Sequence, residues 1–403
     1  MHFDESKIIH NNFWLEFMSK KISFHTNLIY FVVVALFVVL RICSNFGVFE
    51  FLGDFASSIL GIVTQVGLIF LLPFFLFKSL NKMSVKETCK FFSFKKVSIK
   101  TVLVSIVLGV VVFCLNVYVS SFFNGIIQMF GYTPAAHSSS VSKEWWGLLL
   151  NLFVSAVLPA ICEESLHRGM LLKGNSALGM KKSILLSGLL FGLLHLNIEQ
   201  FFYAAIIGFF LGYLCWSCNS IYPCIIIHFM NNAISVFLSF ASANGWAIGN
   251  IFTEVSKFLI QSQFLGLVMF LLVLGLLVVF AIDLTKLLMK DSFDYNFGKK
   301  QKELANMAVR ENFFKQIDDI KNDTASDPLY SAEKNVLYID LAEFMQYVNK
   351  SMEIVKSKQE EEEKLHPEVE DKNIDLKIKI LKYGSIALSA IVTIMTFIWG
   401  FFR

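Results

Sequence analysis

Nine stretches of predominantly apolar residues recur along the chain, over 28–46, 55–77, 101–120, 145–172, 183–198, 200–217, 222–241, 264–282 and 383–402. Crossing the hydrocarbon layer takes roughly 20 such residues in a helix, because each residue adds about 1.5 Å along a layer about 30 Å thick. The pattern therefore predicts an all-α, polytopic transmembrane helix bundle of about eight core spans plus one C-terminal span. The fifth stretch is short, and the sixth follows almost at once through Asn197, Glu199 and Gln200. These two read as a tight helical hairpin.

Polar positions between the stretches orient the bundle, since short cytoplasmic loops carry the excess of Lys and Arg. Residues 78–100 hold seven lysines and a single acid, Glu87, and the turn after the fourth stretch holds Arg168, Lys173, Lys181 and Lys182. The alternate connections are nearly free of basic residues, with Lys143 alone in one and Lys257 alone in another. A cytoplasmic N-terminus satisfies each of these counts and leaves 286–382 in the cytoplasm. Residues 1–26 are too long and too mixed in charge for a signal peptide, so the first stretch reads as a signal anchor. Four parts follow: 1–54 with the first span, an intramembrane core over 55–283, a cytoplasmic acidic helical segment over 284–382, and a C-terminal transmembrane helix over 383–403.

Composition sharpens this division. Hydrophobic residues make up 55% of the 403 and charged ones 17%, against roughly a quarter charged in a soluble domain. The net charge of +3 is an average over unlike parts: 20 of the 32 acids lie between Asp291 and Asp375, while 200–253 holds no Asp, Glu, Lys or Arg. No basic face rises above the apolar background, which excludes a nucleic-acid partner. In the acidic segment, Asp327-Pro328 reads as a turn, 336–355 as amphipathic, and Glu360 to Glu363 before Pro367 as a solvated helix end or linker, with docking of a cytoplasmic partner as the alternative. Lysine outnumbers arginine 31 to four and Phe reaches 43, usage that suggests an AT-rich genome and hence a bacterial cell membrane. The seven cysteines lie in or beside apolar stretches; Cys215 and Cys218 have redox or zinc spacing but no second pair, and read as small buried hydrophobes.

Ionisable side chains inside the bilayer are costly and mark candidate chemistry. Here they are Glu163, Glu164, His167 and Arg168 on the fourth span, His195 on the fifth and His228 on the seventh, with Asn231 and Asn232 close behind. At about 100° per residue, Glu164 and Arg168 share a helix face and pair, while Glu163 points about 140° away from Arg168 toward another helix. Pro159 cannot donate to the carbonyl of Ser155, so a kink or a loosened turn belongs beside Glu163. His228 and Asn232 stand one turn apart and project together, and Phe191 packs on His195. Measured from the cytoplasmic turns, Glu163, His195 and His228 reach similar depths, which suggests a site opening toward the cytoplasmic half of the bilayer. A lone membrane histidine is as often a structural hydrogen bond, and Glu164 with Arg168 alone would make a structural pair; several polar insertions at one level are harder to read so. Gly188-x-x-x-Gly192 and Gly208-x-x-x-Gly212 read as close helix packing.

Three motifs stand in order on membrane helices: Glu163-Glu164-Ser165-Leu166-His167-Arg168 fits E-E-x-x-x-R, Phe191 to His195 fits F-x-x-x-H, and His228 to Asn232 fits H-x-x-x-N. The set resembles the CPBP (CAAX protease and bacteriocin-processing, or Abi) family of intramembrane endopeptidases, related to the type II CAAX prenyl endopeptidase. The resemblance covers roughly 55–282. It implies a peptidase in which Glu163 and His195 activate a water, His228 and Asn232 stabilise the oxyanion, and Glu164 and Arg168 support them. Its substrate would be a peptide or membrane protein, prenylated in the best-known relatives. A carboxylate in an apolar setting is a competent general base, and fixed donors stabilise developing negative charge in a low-dielectric cavity.

Glu163, His195 and His228 are also a two-His, one-carboxylate set of the kind that holds catalytic zinc. The chain lacks H-E-x-x-H and the histidines sit on two helices, so the expectation is a metal-free site with no cofactor, zinc being its variation. Two further readings remain: a catalytically silent scaffold that binds a partner protein through 284–382, and a proton-coupled transporter in which Glu163 and the histidines relay protons.

Overall fold

The computed structural model describes residues 5–133, 142–321 and 373–400. The elements expected around 327–328, 336–355 and 360–367 lie outside those residues. The chain divides into two compact units, one of 1–293 with 373–403 and one of 294–372. In the second, the described residues 294–321 are helical.

Among the described residues there is no strand. The helices, in order, are α1 (Glu5–Asn45), α2 (56–80), α3 (Val85–Phe91), α4 (Ile99–Met129), α5 (Trp145–Gly174), α6 (Met180–Leu194), α7 (Ile198–Cys218), α8 (Tyr222–Ala243), α9 (Ile251–Gln261), α10 (Gln263–Lys321) and α11 (Ile374–Gly400). Eight of them are long and apolar enough to cross a membrane. The protein is an integral membrane protein with an all-α bundle.

The difference from nine expected spans lies at α6. It has 15 residues, short of the roughly 20 that a full crossing takes. Its end is local in origin. Leu196 takes a left-handed φ of 50°, a conformation that opposes helix propagation in an L-residue, and the Asn197 side chain then accepts from the Glu199 N–H to open α7. The hairpin is therefore real, but its turn falls at 195–197, immediately at His195.

Small residues let the two arms of the hairpin touch. A Cβ placed on Gly208 would lie 2.9 Å from the Gly188 backbone, and one on Gly192 would lie 2.8 Å from the Phe201 carbonyl. Without a hydrophobic drive between helices in lipid, such backbone approach is what holds them. Gly208→Leu is expected to lower stability by about 1–3 kcal/mol, the usual cost of overpacking, whereas Gly275→Leu, where a side chain meets open space, should leave it unchanged. Thermal unfolding in detergent checks both, and equal midpoints would contradict this packing.

Pairings along the sequence define two ends of the bundle. At one, Ser23 and Asn27 both donate to the buried Asn175 Oδ1 at 2.9 Å, Ser220 Oγ donates to the Lys95 carbonyl, and Ser98 and Thr101 bind the Asp291 carboxylate. At the other, Tyr132 donates to Glu199 at 2.8 Å, Ile198 N–H reaches Thr396 Oγ1, and Asn244 reaches the Lys143 carbonyl. The seven lysines of 78–100, and those at 173–182, fall at the first end. There α3 opens with a capping box in which Ser84 and Glu87 satisfy each other's backbone N–H; those bonds hold the Glu87 carboxyl below the usual carboxylate range.

Candidate functional site

Two helices depart from α-geometry where they approach each other. In α2, residues 63–71 form a π-helix, with the Leu72 N–H donating five back to Gly67. In α5, π segments at 153–157 and 165–171 flank Leu158–Glu164. Pro159 lies at the start of that central piece. Having no N–H, it cannot serve the Ser155 carbonyl, and the Asn232 amide donates to that carbonyl instead, at 3.2 Å. The loosened turn expected at Pro159 is thus present, and it fixes Asn232 against α5. Widened turns of this kind recur at functional sites because they redirect side chains that a regular helix would stack.

Glu163, His195, His228 and Asn232 line one cavity of about 990 Å³, together with Gln65, Asn116, Tyr203 and Asn231. This is the upper range of ligand pockets. Glu163 Oε1 accepts from Gln65 Nε2 at 2.8 Å. That contact joins α2 to α5 and comes from outside the three motifs; its signal in the sequence is a lone amide within an apolar stretch.

Hydrogen bonds fix what each histidine presents. His195 Nδ1 lies 3.0 Å from the Phe191 carbonyl, which can only accept, so Nδ1 carries the proton and Nε2 is left as a lone-pair acceptor. His228 Nδ1 lies 2.9 Å from Glu164 Oε1, so it donates there, and its Nε2 is likewise free of that bond. Asn232 Nδ2 has two hydrogens, of which Ser155 takes one.

Beneath these groups lies a sealed ionic layer. Arg168 Nη1 donates to the same Glu164 Oε1 at 2.9 Å, and both side chains are 0% exposed. Arg168 Nη2 donates to the Gly208 carbonyl, and its guanidinium stands 4.3 Å from the centre of the Phe191 ring. That ring also meets His195 and His228 edge-on, at 5.3 and 5.7 Å between centroids. Phe191 is thus a common wall for Arg168, His195 and His228, well beyond the single packing contact with His195 that spacing suggested. A cation on an aromatic face is worth about 2 kcal/mol when desolvated.

The structure does not bring His167 to the cavity. It is 0% exposed, with Nδ1 on the Glu163 carbonyl and Nε2 3.2 Å from the Tyr30 hydroxyl. Cys215 and Cys218 are also buried, and Cys215 donates to the Arg168 carbonyl. Among the described residues no three His, Cys, Asp or Glu side chains converge so as to hold a metal ion. The Glu163, His195 and His228 set therefore does not fit a shared zinc in this arrangement.

The cavity also differs from expectation in its direction. Its lining runs from Glu163, Phe191 and Ile227 to Ser44, Ser121 and Gln200, away from the lysine-rich end. Depth along each helix could be counted from the turns, but the splay of the helices above the site could not.

Residues 145–234 match the family described as type II CAAX prenyl endopeptidase Rce1-like. No curated protein and no solved structure gives a match. The matched stretch is narrower than the three motifs' resemblance suggested and contains α5, α6, α7 and the half of α8 bearing His228 and Asn232. The membrane bundle thus contains, between residues 145 and 234, a stretch similar to the type II CAAX prenyl endopeptidase Rce1-like family.

Proposed function

We propose that this protein is an intramembrane endopeptidase that hydrolyses a peptide bond with water activated by Glu163 and His195, without a metal. The observation that carries the reading is the convergence of Glu163 from α5, His195 from the turn after α6, and His228 and Asn232 from α8 on one cavity. In this reaction the water donates one hydrogen bond to the free Glu163 carboxylate oxygen and one to His195 Nε2. Loss of its proton to the carboxylate accompanies attack on the substrate carbonyl. The oxygen of that carbonyl becomes an oxyanion beside the second Asn232 hydrogen and His228 Nε2. To donate there, His228 must carry both ring protons, its Nδ1–H being held by Glu164. Arg168 in turn pairs with Glu164 and fixes its carboxylate in place. Protonated Glu163 then passes its proton to the leaving amine. The substrate is a peptide or membrane protein, prenylated or not, reaching the site within the bilayer.

Peptides and protein fragments from membranes of wild-type and Asn232→Ala cells test this. Loss of one oxyanion donor is expected to slow appearance of the wild-type fragments by about 10²–10³-fold; unchanged fragments and rates would overturn the assignment. A chelator such as EDTA is expected to leave wild-type cleavage intact. Loss of cleavage that added zinc restores would replace the metal-free mechanism.

A further inference from the structure

The side on which the cavity opens has a consequence for the substrate. Of the site residues, His228 lies deepest toward the lysine-rich end, six residues into α8, which starts beside the Ser93 and Lys95 carbonyls, while His195 stands in the turn that follows α6 at the other end. The lining continues along α8 to Val236 and along α4 from Val112 to Ser121, about 12 Å in each helix. Ser121, like Ser44 at the end of α1, is exposed. The mouth of the cavity therefore belongs to the end closed by the Tyr132–Glu199 and Asn244–Lys143 contacts. The connections there, 46–55, 130–144, 195–197 and 244–262, contain two basic residues, Lys143 and Lys257. The opposite end holds seven lysines in 78–100 alone. Lysine excess marks the cytoplasmic side of a bundle.

We propose that the site is reached from the extracytoplasmic face, and that its substrate is the extracytoplasmic or lumen-side juxtamembrane segment of a membrane-anchored polypeptide rather than a cytoplasmic tail. This substrate class rests on the peptidase reading above; the side of access does not. A segment entering from the outer face passes the hydroxyls of Ser44, Ser120 and Ser121 and the Gln200 amide, which can bond an extended backbone on its way to Glu163. It meets no lysine. A cytoplasmic tail would have to cross the Arg168, Glu164 and Phe191 layer, which is closed.

Two measurements on the full chain in intact cells decide the matter. In a Cys43→Ser background, a membrane-impermeant maleimide is expected to label Ser121→Cys in intact cells and to label Lys90→Cys only after permeabilisation. Any other pattern, including labelling of both, overturns access from outside, whether or not the protein is a peptidase. New polypeptide termini present in wild type and missing in Glu163→Gln cells are then mapped onto membrane proteins. Termini in extracytoplasmic segments are the expected result, and termini in cytoplasmic segments overturn the substrate class. No Glu163-dependent termini at all would defeat the peptidase reading and the substrate class with it, leaving the labelling result to stand for the cavity.

Discussion

Glu163→Gln is expected to abolish cleavage while leaving the bundle folded. The amide has nearly the same shape, but it cannot take a proton from water. Positioned acid–base catalysis contributes about 10²–10⁴-fold, so fragment formation should fall by that factor or below detection. The structural cost is small for two reasons. Glu163 is half-buried at the wall of a large cavity, and its hydrogen bond from Gln65 is one contact worth about 1 kcal/mol. Gln65 can still donate to the new amide oxygen. Thermal unfolding in detergent should therefore show a midpoint near that of wild type beside the lost cleavage. Unaltered fragments in this variant would remove Glu163 from the chemistry and favour the silent-scaffold reading of the same fold.

The sequence was most legible where one residue type has one physical use. Apolar runs gave the spans because lipid leaves the backbone no other partner than its own helix. Glu164 with Arg168 at four-residue spacing gave the buried pair, now seen at 2.9 Å. Pro159 announced a missing donor, although nothing in the sequence said that Asn232 would replace it. What escaped depends on contacts between distant segments. Gln65 meets Glu163 across 98 residues, and π-turns in both helices set its approach. Glu164 binding His228 across 64 residues was hidden for the same reason: Arg168 already accounted for that carboxylate. The end of α6 was misplaced because the strain at Leu196 is not written in an apolar run. The mouth of the cavity depends on the tilt of several helices at once, which no single helix encodes.

Arg168→Met should act on the fold before it acts on the chemistry. Glu164 and Arg168 are both 0% exposed, and removing one member of such a pair strands the other charge at a cost of about 3–5 kcal/mol. His228 offers only partial compensation, through its single bond to the same Glu164 oxygen. The variant also loses the Arg168 bond to the Gly208 carbonyl and its contact with Phe191, which tie α5 to the hairpin. The expected result is a sharply lower unfolding midpoint and little protein in the membrane. Replacing both members, Arg168→Met with Glu164→Leu, separates the roles. Apolar side chains of similar volume commonly restore or exceed the stability of a buried ion pair, so the double variant should recover most of the lost midpoint. Cleavage should stay absent, because His228 Nδ1 then has no carboxylate to bond and the ring loses what orients it. A double variant that cleaves at the wild-type rate would show that Glu164 does not act through His228. A single variant as stable as wild type would show that the pair carries no uncompensated charge.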